Sequence, residues 1–519
     1  MFALTQSLRR AVQIRPNGIS TISGATRRTW TQTADRVARI AGTLSALGVR
    51  RGDRIAILAL NSDRYFELLY AVPWIGAVAV PLNTRLAAPE IEYILEDSGA
   101  VALFVDAAMS VHLPALAGKM PAVHTVVWLD DTPPPKGAKG FEELTNHSPT
   151  TDVGAHDGEI AGLFYTGGTT GRSKGVMLTH TNLVVNALNA VAGIGFNGDT
   201  TYIHSGPMFH LADTASTFAV TMAAGRHVFI PRFDPVDTLA AIQAEKVTNA
   251  TLVPTMVNMV VNHPRFAEFD VSSLRLVLYG ASPMPEGVIR KAMSVMPNVR
   301  FMHAYGMTEA APIVTLLDPR YTTLEGPFAG KHKSCGQTAH SVEVKVVDAD
   351  RRELPRGTPG ELAIRGANIM KGYWNKPDAT ATVLEDGWYY SGDGAYMDDE
   401  GFVYIVDRLK DMIISGGENV YSAEVENAIS LIPEVAEVAV IGVPDERWGE
   451  RVHAIVVRKA GTTLTAEQVI AHCHAHIAGY KCPKSVDFRV TPLPLSGAGK
   501  ILKRELREPY WKGLTKAVN

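Results

Sequence analysis

The stretch YTGGTTGRSKG, from Tyr165 to Gly175, sets four glycines, three threonines and one lysine within eleven residues. Glycines let successive backbone N–H groups turn toward an anion, threonine hydroxyls add donors, and a lysine adds charge, so the composition points to a polyphosphate. The Walker A pattern GxxxxGK[ST] does not fit, because Lys174 is followed by Gly175 and preceded by Ser173. The strand-like LFYT precedes the loop and a helix is expected from Thr181. A bare Gly/Thr surface loop is the competing reading of such a fragment.

Other residues able to do chemistry are spread downstream. His210 closes PMFH, Thr308 and Glu309 close YGMTE, Asp393 closes WYYSGD, Arg408 and Lys410 lie in DRLKD, and Lys500 closes PLSGAGK. Alone, each has an ordinary explanation. A histidine is often a satisfied core residue, YGMTE reads as a strand end before a capped helix, and a lysine near a C-terminus is usually solvated.

The elements that must position these residues alternate. Thr31 is expected to cap a helix with apolar positions Val37, Ile40, Ala41, Leu44 and Leu47, stopped by Gly48. IAILALN reads as a buried strand, 62–71 as a helix, GAVAVPLN as a strand, 90–97 as a helix and VALFVD as a strand. The pattern returns in HVFIP, TNATLVP, LRLVLYG and VRFMHAYG, each but the last followed by a helix. Such alternation predicts a parallel α/β sheet. After Asp318 short β runs at 342–347, 360–365 and 402–406 predict a smaller antiparallel sheet, and past Lys410 an α+β block of about 110 residues is large enough to be its own domain. DTPPPKGAK, at 131–139, is a surface loop.

Composition sets bounds. The chain has 519 residues, 46% hydrophobic and 20% charged, and a net charge of −3, which gives no electrostatic case for nucleic acid or an anionic membrane. Cys335, Cys473 and Cys482 are widely spaced and form no CxxC pair, so neither a disulfide framework nor a zinc site is expected, and a cytoplasmic setting fits. Residues 1–34 hold five arginines and no acid, which suits a transit peptide in composition, yet the first helix of the fold is the simpler reading of 7–14. The most apolar stretch, 68–82, is broken by Pro73, Gly76 and Pro81 and is too short to span a bilayer. Peripheral membrane contact stays open, although no basic amphipathic helix argues for it. The oligomeric state is also open, a homodimer included.

In order and spacing the phosphate-type loop, PMFH (207–210), YGAS (279–282), YGMTE (305–309), GYWNKPDAT (372–380), WYYSGD (388–393), DRLKDMIISGGENVYSAEVE (407–426) and PLSGAGK (494–500) resemble the motif set of the adenylate-forming (ANL) superfamily, which includes acyl-CoA synthetases, luciferases and peptide-synthetase adenylation domains. The resemblance implies an α/β multidomain fold: an N-terminal domain, 1–409, of stacked α/β sheets with a small β-barrel, and a mobile α+β C-terminal domain, 410–519, swinging on a hinge at 407–411. It implies two half-reactions, a carboxylate plus ATP giving acyl-AMP and pyrophosphate, then a thiol, expected to be coenzyme A, taking the acyl group.

The resemblance also assigns roles. Thr166, Gly167, Gly168, Thr169, Thr170, Gly171 and Lys174 would hold the β- and γ-phosphates. Gly280, Ala281, Ser282, Tyr305 and Gly306 would line the adenine, Thr308 would bond the α-phosphate, and Glu309 would help hold Mg²⁺, which favours few carboxylates plus phosphate oxygens. Asp393, assisted by Arg408, would take the ribose. Lys500 would be the adenylation lysine, Lys410 the hinge, and Gly416, Gly417 and Trp448 the coenzyme A contacts. In YKCPK, Cys482 stands where several relatives carry a basic residue, leaving Lys481 or Lys484 to serve.

The acyl pocket would draw on His210, Leu211, Ala212, Ala281, Met307, Ala310, Ala311, Pro312 and Ile313. Amino-acid-activating relatives carry Asp where His210 stands, so an amino acid is disfavoured, although Asp213 lies three residues on. With no Arg or Lys in that set, a dicarboxylate is disfavoured too. A medium- or long-chain fatty acid is the first expectation, tilted by NTRLAAPE at 83–90. Aryl or arylpropenoic acids are the alternative, as is an acyl-AMP ligase loading a carrier protein.

Overall fold

β-branched and aromatic runs, each fed by a helix, build two large mixed sheets. The computed structural model describes residues 2–156, 158–166, 172–282, 284–408, 411–415, 418–445, 447–496 and 501–512, with Asp407, Arg408 and Asn419 described in their backbone only. Among the described residues the first sheet has nine strands. Six of them, Arg300–Gly306, Leu276–Gly280, Asn249–Thr251, Thr201–His204, Arg226–Phe229 and Ile19–Ser23, run parallel in that spatial order. The second sheet has eight strands and centres on the parallel set Ile160–Thr166, Val78–Pro81, Arg54–Leu58, Ala100–Val105 and Thr125–Trp128.

The strands read from the alternation all run parallel, as expected, but each sheet also takes in antiparallel strands that the alternation did not cover. The chain doubles back after Gly306, so Ile313–Leu317 joins antiparallel, and it doubles back again after Thr166, so Lys174–Thr179 does the same. Both reversals fall at glycine-bearing motifs, where the paired strands are separated by too few residues for a crossover helix.

One apolar core unites the helices with both sheets and includes Trp30, Phe66, Tyr70, Phe104, Leu183, Tyr202 and Phe218. Fully burying a side chain such as Phe66 is worth about 2–3 kcal/mol. The helix Trp30–Ala46 is capped by Thr29 instead of Thr31. Thr29 accepts from the Gln32 N–H and its own N–H donates to Gln32 Oε1 at 2.8 Å, whereas the Thr31 hydroxyl donates to the Pro16 carbonyl. Glutamine three residues past the cap closes this reciprocal pair. The helix Asp63–Trp74 runs beyond the expected end at Ala71, carrying Pro73 in its last turn. The first helix, Gln6–Ile14, places Leu8 and Ala11 in the core, fully buried.

A third, antiparallel sheet holds Val342–Val347, Gly360–Gly366, Trp388–Met397 and Val403–Arg408. A fourth joins Ile413–Ser415, Val435–Asp445 and Gly449–Arg458, with Ser485–Arg489 added in parallel, over a separate core of Val425, Ile429, Val440, Val452 and Val469. All three cysteines are buried. No helix among the described residues is long and apolar enough to cross a membrane.

Candidate active site

The strands that flank the phosphate-type loop, Ile160–Thr166 and Lys174–Thr179, pair antiparallel with Thr166 opposite Lys174, and the helix expected from Thr181 starts at His180. A strand therefore separates the loop from the helix in sequence, and Lys174 supplies positive charge at the start of that strand. Gly167, Gly168, Thr169, Thr170 and Gly171 lie outside the described residues. Their flanks are fixed by the helix Ala88–Ser98: Tyr165 donates to Asp97 Oδ2 at 2.6 Å, Tyr93 donates to the Ser173 carbonyl at 3.2 Å, and the Arg172 guanidinium lies over the Tyr93 ring.

YGAS and YGMTE end two adjacent parallel strands, with Gly280 paired to Ala304, so both motifs leave the carboxyl edge of the nine-stranded sheet side by side. Ligands of open α/β sheets bind at that edge. Gly280 and Gly306 are required by the protein's own backbone. A Cβ at Gly280 would lie 2.2 Å from the Ala304 carbonyl oxygen, and one at Gly306 would lie 1.8 Å from that of Pro312. The return turn after Gly306 is held by Asn368, whose amide donates to the carbonyls of Ala310 and Ile313, and by Asn186, which accepts from the Ile313 N–H.

Thr308 and Glu309 begin the short helical turn Thr308–Ala310. The Glu309 carbonyl accepts from the Met370 N–H, and its Oε1 accepts from the Tyr373 hydroxyl at 2.9 Å. Tyr373 also stacks under Lys174, whose Nζ is 4.8 Å from the ring centroid. The short strand Gly372–Tyr373 pairs with Lys174–Thr179, which explains the proximity. Among the described residues no cluster of three or more His, Cys, Asp or Glu could hold a metal alone. One half-buried carboxylate suits a magnesium ion that takes its remaining ligands from phosphate oxygens and water, so the donor set fits.

Asp393 is 8% exposed and accepts from the Tyr305 hydroxyl at 2.7 Å. Its strand partner is Arg408, so the two expected ribose residues face each other across the ladder, although the Arg408 side chain is outside the described set. Burial, reinforced by the Asp393 and Glu309 charges, pushes the phenols of Tyr305, Tyr373 and Tyr389 well up. All three remain hydrogen-bond donors across the physiological range.

His210 caps the helix Leu211–Met222, its Nδ1 accepting from the Ala212 N–H at 3.3 Å. An accepting Nδ1 leaves the neutral ring's proton on Nε2. The loop before it is tied to the other sheet by Asn61, which donates to the carbonyls of His204 and Gly206 and accepts from the Met208 N–H. Asp213 bonds the protein itself: its carboxylate meets His204 Nδ1 at 2.6 Å and accepts from Tyr202, and His204 Nε2 meets His227 Nδ1 at 2.9 Å. This buried chain answers the doubt raised by Asp213, because the carboxylate is occupied and only 2% exposed.

Of the acyl-pocket candidates, Ala212, Ala281, Met307 and Pro312 keep exposed surface, whereas Leu211, Ala310, Ala311 and Ile313 lie inside the core. Ser282 is half-buried beside Ala281, whose φ is +69°. Lys410, Gly416, Gly417 and Lys500 lie outside the described residues. Trp448 is 41% exposed at the turn between the strands Val435–Asp445 and Gly449–Arg458, with the Arg447 guanidinium over its ring. Lys481 is paired to both oxygens of Glu424, whereas Lys484 donates only to the Gly479 carbonyl among the bonds seen, and Cys482 is fully buried. Sequence reasoning passed over Asn61, Asn186 and Asn368, whose roles depend on tertiary placement. It quoted Tyr373 within GYWNKPDAT without giving it a role.

Comparison with known proteins gives a consistent picture. The model of the AMP-binding enzyme family matches residues 8–374, and that of the AMP-binding enzyme C-terminal domain matches 424–500. A feruloyl-CoA synthase of Amycolatopsis sp is 40% identical over 96% of this chain and 98% of its own. A long-chain-fatty-acid–CoA ligase of Mycobacterium tuberculosis is 37% identical over 93% of each. Among solved structures, ATP-bound MatB from Rhodopseudomonas palustris superposes with a TM-score of 0.87 at 30% identity, covering 98% of this chain and 99% of that one.

Proposed function

The chain belongs to the AMP-binding enzyme family of AMP-forming acid–thiol ligases, and from that premise we propose that it joins an apolar monocarboxylic acid to coenzyme A through an acyl-adenylate. In the first half-reaction a carboxylate oxygen attacks the α-phosphorus of ATP and pyrophosphate leaves. In the second the coenzyme A sulfur, having lost its proton, attacks the acyl carbon and AMP leaves.

The observation that carries this reading is the meeting of Lys174, Tyr373 and Glu309 at the hairpin base, beside the two strand ends that bear Gly280 and Tyr305. Bringing a carboxylate against a triphosphate requires charge neutralised in fixed geometry. Lys174, with the loop 166–171, takes the departing phosphates. Thr308 donates to the α-phosphate, Asp393 and Arg408 take the ribose hydroxyls, and Gly280, Ala281, Ser282 and Tyr305 bound the base. Glu309 would hold magnesium, which would neutralise phosphate charge. His210, protonated on Nε2, donates to the acyl carboxylate. Lys500 approaches the same oxygens during adenylation and, on this reading, withdraws as the domain past 410 turns on Lys410, so that Gly416, Gly417 and Trp448 meet coenzyme A.

The acid is apolar because the half-exposed pocket candidates carry no cation that would offset a second carboxylate. Two classes fit, aryl or arylpropenoic acids and medium- or long-chain fatty acids. The tilt toward alkyl acids read from NTRLAAPE has no advantage, since the feruloyl-CoA synthase is as close a relative as the fatty-acid ligase. The test is acid-dependent ATP–pyrophosphate exchange over ferulate, 4-coumarate, benzoate, decanoate, palmitate and malonate, followed by thioester formation with coenzyme A. Exchange and thioester with an apolar acid support the proposal. Exchange with malonate alone, or exchange that never yields a thioester, overturns it.

A further inference from the structure

The segment Asn83–Ser98 has no part in the chemistry above, yet it touches both ends of it. Its helix fixes the flanks of the phosphate hairpin through Tyr93 and Asp97. Just before that helix, Arg85 Nη1 donates to the Ser496 carbonyl at 2.8 Å, across 411 positions of sequence. Ser496 opens the short loop that leads to Lys500. The loop is closed at its base by a bridge between Leu495 and Ile501 and by the bond from the Leu502 N–H to the Pro494 carbonyl. Lys500 follows Ser496 by four positions, a span of at most about 14 Å even if fully extended.

We infer that Arg85 is a positioning residue for adenylation, holding Ser496, at the base of the stretch that leads to Lys500, beside the start of the helix that braces the phosphate hairpin. This rests on the two-step reading proposed above. The chemistry of the contact suits a reversible latch. Its acceptor is a main-chain carbonyl, so it reads the path of the loop and not a side chain. The Arg85 bond is exposed, and exposed charged contacts are individually weak, so it can bias one arrangement without trapping it. Arg85 itself is set by local structure, its N–H donating to Asn83 Oδ1 at 3.0 Å, while the Ala87 N–H donates to Glu90 Oε2 at the helix start.

The test separates the half-reactions. In Arg85→Ala, ATP–pyrophosphate exchange with the best acid falls three- to tenfold at saturating substrates, while conversion of supplied acyl-adenylate and coenzyme A to thioester keeps its rate. Arg85→Lys, which retains a cationic donor, recovers part of the exchange. The thermal midpoint stays that of the wild type, since the side chain is exposed. Unchanged exchange in Arg85→Ala overturns the inference, and so does an equal fall in both half-reactions. Absence of exchange in the wild-type protein with every acid would instead remove the function proposed above, so the two failures are distinguishable.

Discussion

Tyr373 and Glu309 are joined by an O–H···O bond of 2.9 Å, and the same tyrosine ring lies under the Lys174 ammonium. One side chain thus links the lysine proposed to take the phosphates with the carboxylate proposed to hold magnesium. Tyr373→Phe keeps the ring beneath Lys174 and frees Glu309 from its donor. The magnesium concentration for half-maximal pyrophosphate exchange is expected to rise about tenfold or more, as for the loss of one hydrogen bond to a charged group. Titrating exchange with magnesium at fixed ATP checks this, and an unchanged midpoint would count against it.

Asp393 and Tyr305 predict a graded effect on ATP. Asp393→Ala removes both proposed ribose acceptors and leaves the Tyr305 phenol without its 2.7 Å partner, so KM for ATP is expected to rise tenfold or more. Tyr305→Phe keeps the carboxylate and is expected to cost about threefold. Steady-state kinetics with ATP varied would show the order, and a larger loss in Tyr305→Phe would contradict it.

Asp213 predicts a change in stability. With His204 and Tyr202 as its buried partners, Asp213→Ala strands two polar groups in the core, at a cost of about 2–3 kcal/mol. Asp213→Asn is expected to cost less. Denaturant midpoints measure both, and a midpoint within error of wild type in the alanine variant would show that the chain of rings is not a structural tie.

Much of this was legible in the sequence. The strand Val342–Val347 follows from its residue pattern, and the helix His180–Ile194 begins within one residue of its expected start at Thr181. Two kinds of feature were not. The antiparallel returns after Thr166 and Gly306 are set by which strand edge is vacant, which local periodicity does not carry. The buried network of Asp213, His204 and His227 joins residues whose spacing follows no motif, and only the adjacency of the strands Thr201–His204 and Arg226–Phe229 brings the two rings together. The cap at Thr29 was misplaced by two residues because three threonines, Thr29, Thr31 and Thr33, compete and only Thr29 has glutamine at the third position beyond.

Acid should loosen the fold in a definite window. Burial pulls His180 and His303 down to about 4, and His227 well below its ordinary value. Unfolded imidazoles take up protons near pH 6.5. Above that pH neither state is protonated and stability is flat in these groups. Between 6.5 and 4 the unfolded chain binds protons that the folded one does not, so stability falls as pH drops. Each histidine near 4 contributes about 2 kcal/mol of that loss by pH 5. His180→Gln keeps an acceptor for the Leu4 N–H and removes the titration, so its thermal midpoint should fall less between pH 7 and 5. A slope equal to wild type would refute this.

The burial of Cys335, Cys473 and Cys482 bears on the company this protein keeps. A catalyst that handles a free thiol risks being captured by it, since any surface cysteine could exchange into a mixed disulfide once the pool is partly oxidised. Here the Cys335 and Cys473 thiols are pushed up to about 12 by burial, so at neutral pH they present almost no thiolate to attack or be attacked. The fold makes the protein inert to its own thiol substrate, and a rise or fall in coenzyme A during turnover can be read with a thiol reagent against a silent protein background.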